Sequence, residues 1–374
     1  MAYPPGRRDA AGTGDPSVAA ARQRLADHIA VTRDARLRRA LALATASVSA
    51  LVLLVAGGGW MVAGYIDGHV GRVNAGTTGT AATGPLNLLL AGVDIRAGLT
   101  RRQQRILHVG HVGGHNSDTL MLVHVSAGDR RVEIVSIPRD SWVRIPGYGM
   151  NKINAAIGLG GPALMVRTVS QATGLTINDF VEVNFLGFVK IIDALGGVDI
   201  CLPFAVDDPY SGLHLSAGRH RVGGIVALQF ARDRHSFALS DLDRIADQQQ
   251  LISSVIAEAS SSGTLTDPAR FARLLAAATS AVRVDRRFDL TALAGQLRYV
   301  RPAAVSLTTV PVADLGYRTP SGELAVLWDA RAAHALFLRI RKDQPLTPAG
   351  RHRRRSGPAG GQIPARTAAQ AACR

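Results

Sequence analysis

Two cysteines in 374 residues, Cys201 and Cys373, are too few for a disulfide framework or a four-thiolate zinc site. One bridge is all they allow, and the sequence leaves open whether they pair. Lysine is nearly as scarce, occurring only at Lys152, Lys190 and Lys342, so the positive charge is almost all arginine. Acidic residues also run short: 28 Asp+Glu face 43 Lys+Arg, a formal charge of +15. The planar guanidinium fork suits phosphate and carboxylate, where lysine offers a point charge. No Gly-x-Ser-x-Gly elbow is present, which removes one common nucleophile, and no internal repeat marks a solenoid. His108, His111 and His115 fit no metal-ligand spacing and read as part of a Gly-rich loop.

What is present first is a long uncharged run. From Ala40 to Ile66 no residue carries a charge, and a bilayer core needs about 20 apolar residues as a helix. Trp60 and Tyr65 sit near its far end, where amphipathic rings favour the interface. Arg33, Arg36, Arg38 and Arg39 precede the run and Asp67 follows it, so the positive-inside rule places the N-terminus in the cytoplasm. A cleaved signal peptide would be shorter and nearer the start. A soluble core helix would tolerate Gly57, Gly58 and Gly59 badly. The expected location is therefore the cell membrane, single-pass, with the bulk of the chain extracytoplasmic. No nucleic-acid partner is expected, although the charge alone would suit one.

Composition then divides the chain into a cytoplasmic basic segment 1–39, a transmembrane helix 40–66, a Gly/Thr-rich linker 67–84, a folded domain 85–343 and a disordered basic tail 344–374. Within the domain, apolar runs predict strands at 86–92, 119–125, 131–137, 180–185 and 305–310. Helical spacing marks 161–173, 187–195, 223–232, 241–260, 268–280, 289–300 and 329–340. Strands and helices alternate throughout, so the expected fold is α/β, a sheet with helices on both faces.

Four stretches put charge beside these apolar elements. Ala-Gly-Val-Asp-Ile-Arg holds Asp94 and Arg96, His-Asn-Ser-Asp-Thr holds Asp118, and Ser-Ile-Pro-Arg-Asp holds Arg139 and Asp140. Ala-Arg-Asp-Arg, continued by Asp-Leu-Asp-Arg-Ile-Ala-Asp-Gln, supplies Arg232, Arg234, Asp241, Arg244 and Gln248. One Arg–Asp pair is ordinarily a surface ion pair of small worth. Gathered in one cleft, they suit phosphoryl-type transfer, in which positioning and charge stabilisation dominate. Asp94 and Asp118 suit Mg²⁺, which takes one or two carboxylates plus substrate phosphate. The arginines suit the remaining phosphate oxygens.

The order Leu-Leu-Leu-Ala-Gly-Val-Asp-Ile-Arg, Ser-Asp-Thr, Ser-Ile-Pro-Arg-Asp, Lys-Ile-Asn-Ala-Ala, Leu-Gly-Gly-Val-Asp-Ile and Ala-Leu-Gln-Phe-Ala-Arg-Asp-Arg resembles the LytR–CpsA–Psr family. The resemblance implies a three-layer α-β-α domain with a mixed central sheet, preceded by one N-terminal transmembrane helix. It implies an enzyme, a glycopolymer–peptidoglycan phosphotransferase that works from a polyprenyl-pyrophosphate-linked glycan in the membrane lipid, with pyrophosphatase activity as a second outcome. By motif, it puts Asp94 and Asp118 on Mg²⁺. It puts Arg96, Arg139, Arg232, Arg234, Arg244 and Gln248 around the pyrophosphate, with Asp140 or Asp241 orienting an arginine; a general base is not assigned. It also implies an apolar tunnel for the lipid, with Phe180, Val183, Phe185, Phe188, Ile192 and Leu195 as lining candidates or as ordinary core. Two positions depart from the family pattern: Asp247 stands where an arginine is usual, and Asn116 where a basic residue is common. The alternatives are a non-catalytic polyprenyl-phosphate-binding scaffold and a membrane-tethered regulator.

Overall fold

A computed structural model describes residues 68–80, 83–93, 100–106, 117–128, 131–233, 240–261, 267–297 and 300–346, with residues 64, 263 and 366–367 besides. Among the described residues no helix is long and apolar enough to cross a membrane. The run 40–66, Gly64 apart, lies outside them.

The first strands are β1 (Gly71–Val73) and β2 (Leu86–Val93), then a short helix α1 (Arg101–Ile106), β3 (Ser117–Val125) and β4 (Val132–Ile137). A hairpin of β5 (Trp142–Ile145) and β6 (Gly149–Lys152) leads to α2 (Ala155–Thr173), β7 (Asp179–Asn184) and α3 (Phe185–Ala194). Four short strands follow, β8 (Val198–Leu202), β9 (Val206–Asp208), β10 (Leu213–Leu215) and β11 (Gly218–Val222). Then come α4 (Gly224–Arg232), α5 (Ser240–Ala259), α6 (Pro268–Ala281), β12 (Val282–Asp285) and α7 (Leu290–Leu297). The remainder is β13 (Val305–Thr309), the hairpin β14 (Val312–Arg318) and β15 (Leu324–Trp328), α8 (Ala330–Arg341) and β16 (Arg366–Thr367).

Eight strands form one sheet in the order β1-β12-β7-β2-β3-β4-β13-β16. It is mixed: β2 runs parallel to β7 and β4 to β13, whereas β3 is antiparallel to both its neighbours. The pleat sends alternate residues of β2 to opposite faces. Leu89, Ala91 and Val93 join Leu120, Leu122, Val135 and Ile137 in a core beneath α2 and α8. Leu86 and Leu90 join Met121, Leu307 and, from α5 and α7, Ile252 and Leu293 on the other side. The sheet is thus covered by helices on both faces, as the alternation of elements predicts. A further cluster, with Ile192, Ile200, Leu213, Phe230 and Leu251, unites α3, α4 and α5 with the small strands β8–β11.

Two glycines set the spacing of this helical side. A Cβ on Gly224 would lie 2.3 Å from the Val189 carbonyl oxygen, and one on Gly187 would lie 2.5 Å from that of Ala281. Helix α3 is therefore in near-backbone contact with α4 and α6, where no larger residue fits.

Three boundaries differ from the sequence expectation. Residues 71–80, expected as part of a free linker, are docked: β1 pairs with β12, Ala75 N–H donates to Asp285 Oδ2 at 2.7 Å, and Thr80 Oγ1 donates to Asp179 Oδ2 at 2.6 Å. Gly/Thr composition reads as slack, but here Ala75, Thr78 and Thr80 each meet a partner on the sheet edge. The domain also runs past Asp343, since Leu346 is buried and its N–H donates to Glu133 Oε1 at 3.0 Å. Residues 366–367 of the expected tail pair with β13, and 347–365 and 368–374 lie outside the described residues. Cys201 on β8 is disulfide-bonded, and Cys373, the other cysteine of the chain, is outside the described residues.

Candidate functional site

The C-terminal ends of β2, β4 and β7 and the start of β3 meet at one edge of the sheet. Such an edge is where ligands settle in open α/β sheets. Next to it lies a cavity of about 150 Å³. Its wall is apolar, with Leu90, Val183, Phe185, Phe188, Leu228, Leu251 and Ile252. Asp118, Thr119, Asn184, Arg232, Arg244 and Gln248 supply its polar lining.

Each polar group is placed by a separate local device. Asp118 opens β3, and Arg139 follows β4 by two residues; the β3–β4 register, Leu120 opposite Ile137, brings them together. Arg139 Nη1 donates to Asp118 Oδ1 at 2.7 Å, while its Nε lies 3.4 Å from Asp140 Oδ2. Asn184 ends β7 and caps α3, its Oδ1 accepting from Gly187 N–H at 2.7 Å. Arg232 closes α4 with its guanidinium carbon 5.4 Å from the centre of the Phe185 ring, a cation–π contact that holds it at the cavity wall.

Arg244 and Gln248, four apart on α5, face the same way. They are only 4% and 8% exposed. Gln248 Nε2 donates to the Ala231 carbonyl at 3.3 Å, tying α5 to the last turn of α4. The next residue fixes α5 to the sheet. Gln249 Nε2 donates to Ser136 Oγ at 3.2 Å, the Thr308 carbonyl at 3.0 Å and Thr309 Oγ1 at 3.1 Å. Asp233, beside Arg232, hydrogen-bonds side chain to side chain with Asp208 on β9, and both are buried. Burial opposes ionisation of Asp208, but bonds from the Ser211 side chain, the Tyr210 and Ser211 N–H groups and Asp233 outweigh it and hold its pKa below the usual carboxylate range.

The structure therefore gathers Asp118, Arg139, Asp140, Arg232, Arg244 and Gln248 at one place, from segments as far apart as 118 and 248. Asp94, Arg96 and Arg234 lie outside the described residues, as do Asn116 and the three histidines; Asp241 sits in the first turn of α5, but its side chain does not belong to the described set. Asp247 is buried and is not part of the cavity wall, so the departure from the family pattern does not put a negative charge into the cavity. Of the expected lipid-lining residues, Val183, Phe185 and Phe188 line the cavity. Phe180 instead packs on the α2 face of the sheet, and Ile192 and Leu195 fill the core under β8–β11.

Sequence reasoning missed Leu90, Leu228, Leu251 and Ile252 as wall residues. Their one sequence signal is position: Leu228 and Leu251 stand four and three residues from Arg232 and Gln248 on the same helices, hence on the same faces. Among the described residues no group of three or more His, Cys, Asp or Glu side chains is placed to hold a metal ion. The arrangement can bind an anion of high charge density at a cationic mouth while an attached apolar chain lies against the wall.

The LytR_cpsA_psr family model matches residues 67–333. The chain is 35% identical over 329 residues to the cell wall biosynthesis protein LcpA of Corynebacterium glutamicum, covering 78% of this chain and 64% of LcpA. It is 36% identical over 187 residues to the polyisoprenyl-teichoic acid–peptidoglycan teichoic acid transferase TagU of Oceanobacillus iheyensis, covering 48% of this chain and 53% of TagU. It thus spans between half and two thirds of the length of these relatives. The fold is shared with the LytR-Csp2A-Psr enzyme from Actinomyces oris, with a TM-score of 0.57 at 22% identity over 73% of this chain and 96% of that one. With the family model covering the domain from the docked strap to α8, this chain belongs to the LytR–CpsA–Psr family.

Proposed function

We propose that this chain transfers a glycopolymer from a polyprenyl-pyrophosphate carrier to peptidoglycan during cell wall assembly. The observation that carries the reading is the cavity, apolar along its wall and lined with Arg232, Arg244 and Gln248, with the Arg139–Asp118 pair at its edge. A prenyl chain needs the first surface and a diphosphate the second. The relative TagU, a teichoic acid–peptidoglycan transferase, supports the same chemistry. Residues 40–66 would anchor the chain in the membrane, N-terminus inside, where such a carrier resides.

In this mechanism the guanidinium groups of Arg232 and Arg244 hold the diphosphate, with Arg139, Arg96 and Arg234 adding to the field. Buried Arg244 acts strongly here because the apolar wall excludes water and lowers the local dielectric. A sugar hydroxyl of the acceptor attacks the phosphorus bonded to the glycan. A new P–O bond forms to the acceptor, the bridging P–O bond breaks, and polyprenyl phosphate leaves with the bonding electrons. The hydroxyl proton is lost to solvent or to a base that is not assigned. Asp140 orients Arg139 through its contact with Nε. Asp118, a carboxylate on the cavity lining, and Asp94 would hold Mg²⁺ in this proposal. When bound, the ion supplies charge neutralisation to the diphosphate.

The test is a turnover assay on the full chain in lipid vesicles, with a synthetic polyprenyl-diphosphate glycan, Mg²⁺ and un-crosslinked peptidoglycan. Polyprenyl phosphate release and glycan coupled to peptidoglycan are measured together. Arg244→Ala and Arg232→Ala are expected to lower the rate by about 10²–10³, the usual loss for one charge-stabilising donor. Tight carrier binding with neither release nor coupling would replace the enzyme by a scaffold.

A further inference from the structure

The lipid cavity occupies one side of the catalytic edge, and the other side carries an exposed structure that the donor does not need. Leu90 and Val183, which line the cavity, alternate with Leu89, Ala91 and Phe180, which face the α2 core. The hairpins β5–β6 and β14–β15 belong to the α2 side: Val143, Ile145 and Trp328 pack in that core or against it. Both hairpins are bolted to the residues after β4. Asn154 N–H donates to the Arg139 carbonyl at 3.1 Å and Val326 N–H to the Asp140 carbonyl at 2.9 Å. Trp328 Nε1 donates to Ser141 Oγ at 2.7 Å.

The pleat of β5 turns Val143 and Ile145 inward and leaves Trp142 and Arg144 on the outer face. Trp142 is half-buried, and its ring meets that of Tyr317 from β14 with centroids 6.4 Å apart and planes tilted by 48°. Cross-strand from Arg144 stands Met150, 45% exposed. Arg144 is exposed and has no hydrogen bond or ion pair among the described residues. The result is an aromatic ledge with an unengaged cation, beginning three residues after Arg139.

We infer that this ledge, Trp142 and Tyr317 with Arg144, is the binding subsite for the acceptor glycan strand of peptidoglycan; the inference rests on the transfer reaction proposed above. Three observations carry it. A hydroxyl acceptor must approach the phosphorus from outside the lipid cavity, and the ledge lies on that other side, attached to Arg139. Sugar rings present flat C–H faces that pack on indole and phenol rings while their hydroxyl rims stay hydrated, which suits two half-buried rings set side by side. The lactyl-linked peptides of such a strand carry carboxylates, and a guanidinium without a partner is their complement.

The experiment uses the full chain in vesicles and soluble un-crosslinked glycan-peptide oligomers. Oligomer binding is read by titration calorimetry without donor, acceptor KM and kcat from the coupling assay, and donor affinity by carrier titration. Trp142→Ala, Tyr317→Ala and Arg144→Ala are each expected to raise acceptor KM about tenfold or more, as truncated aromatic and arginine anchors do. Donor affinity stays within about twofold, on the independence expected of sites without shared partners. Trp142→Phe keeps a ring and recovers most of the loss. Because Arg144 is exposed, its variant cannot fail for want of folding. An unchanged acceptor KM in all three variants overturns the inference, and so does a matching loss of donor affinity, which would assign the ledge to the donor's own sugars. Oligomer binding that depends on Trp142 in a chain that turns over no donor would keep the ledge and remove the reaction.

Discussion

Asp179 opens β7 with its carboxyl fully out of solvent, 0% exposed. Its Oδ2 accepts from Thr80, and its Oδ1 has no partner among the described residues. Burial raises its pKa to about 6 from 3.8; the Thr80 hydrogen bond pulls it down, and the charges of Asp285 and Asp289 push it further up. The folded chain therefore holds this proton more tightly than the unfolded chain. The contribution of this group to stability is greatest below about pH 4, falls as pH rises toward about 6, and stays at the lower level above it. The difference between those two values corresponds to about 3 kcal/mol at most. Asp179→Asn keeps an acceptor for Thr80 and removes the charge. At pH 7.5 it should stabilise the domain by about 1–3 kcal/mol, or a few degrees in Tm for a domain of this size. The gain should shrink as pH falls through about 6 and vanish only below about pH 4. Thermal unfolding of the full chain in detergent, scanned from about pH 3.5 to 8 beside the variant, checks this. A variant that is equally displaced at both ends of the range, or less stable at pH 7.5, refutes the reasoning.

Gly224→Ala should cost about 2–4 kcal/mol by overpacking against Val189 and shift Arg232, so urea unfolding and carrier affinity should fall together. Gln249→Leu leaves the acceptors on Ser136, Thr308 and Thr309 unmet, at about 1–3 kcal/mol, measurable as a lower urea midpoint with unchanged slope. Cys201 should resist a maleimide in the unfolded, unreduced chain and become reactive only after reductant, read as a mass shift.

The central strands and the long helices were legible because burial on a sheet face or a helix stripe writes its period into the sequence. Leu86–Val93 and Val132–Ile137 need no distant information to be recognised. The hairpins were not legible. Trp142–Ile145 and Gly149–Lys152 are four residues each, and they hold only because Ser141, Asn154 and Val326 fasten them to the edge. Helix α2 was read from Gly161-Pro162 onward; a break at Gly160 and Gly161, with φ of 67° at Gly161, does separate that part from an earlier turn beginning at Ala155. At the site, charged motifs at strand ends pointed to Arg139 and Asp118, since a β3–β4 hairpin must return its two outer ends to one place. The apolar wall could not be read, because a leucine that lines a cavity and one that fills a core have the same local pattern. What separates Leu90 from Leu89 is which side of the sheet α5 covers, a fact of topology.

That interleaving has an engineering consequence. Lumen and foundation are drawn from alternate links of the same strands, so the bore of the cavity can be widened at Leu90 or Val183 while Leu89, Ala91 and Phe180 carry the load unchanged. A single inserted residue in β2 would do the opposite. It would trade the two sets in one step, turning foundation residues toward the cavity and lumen residues into the interior.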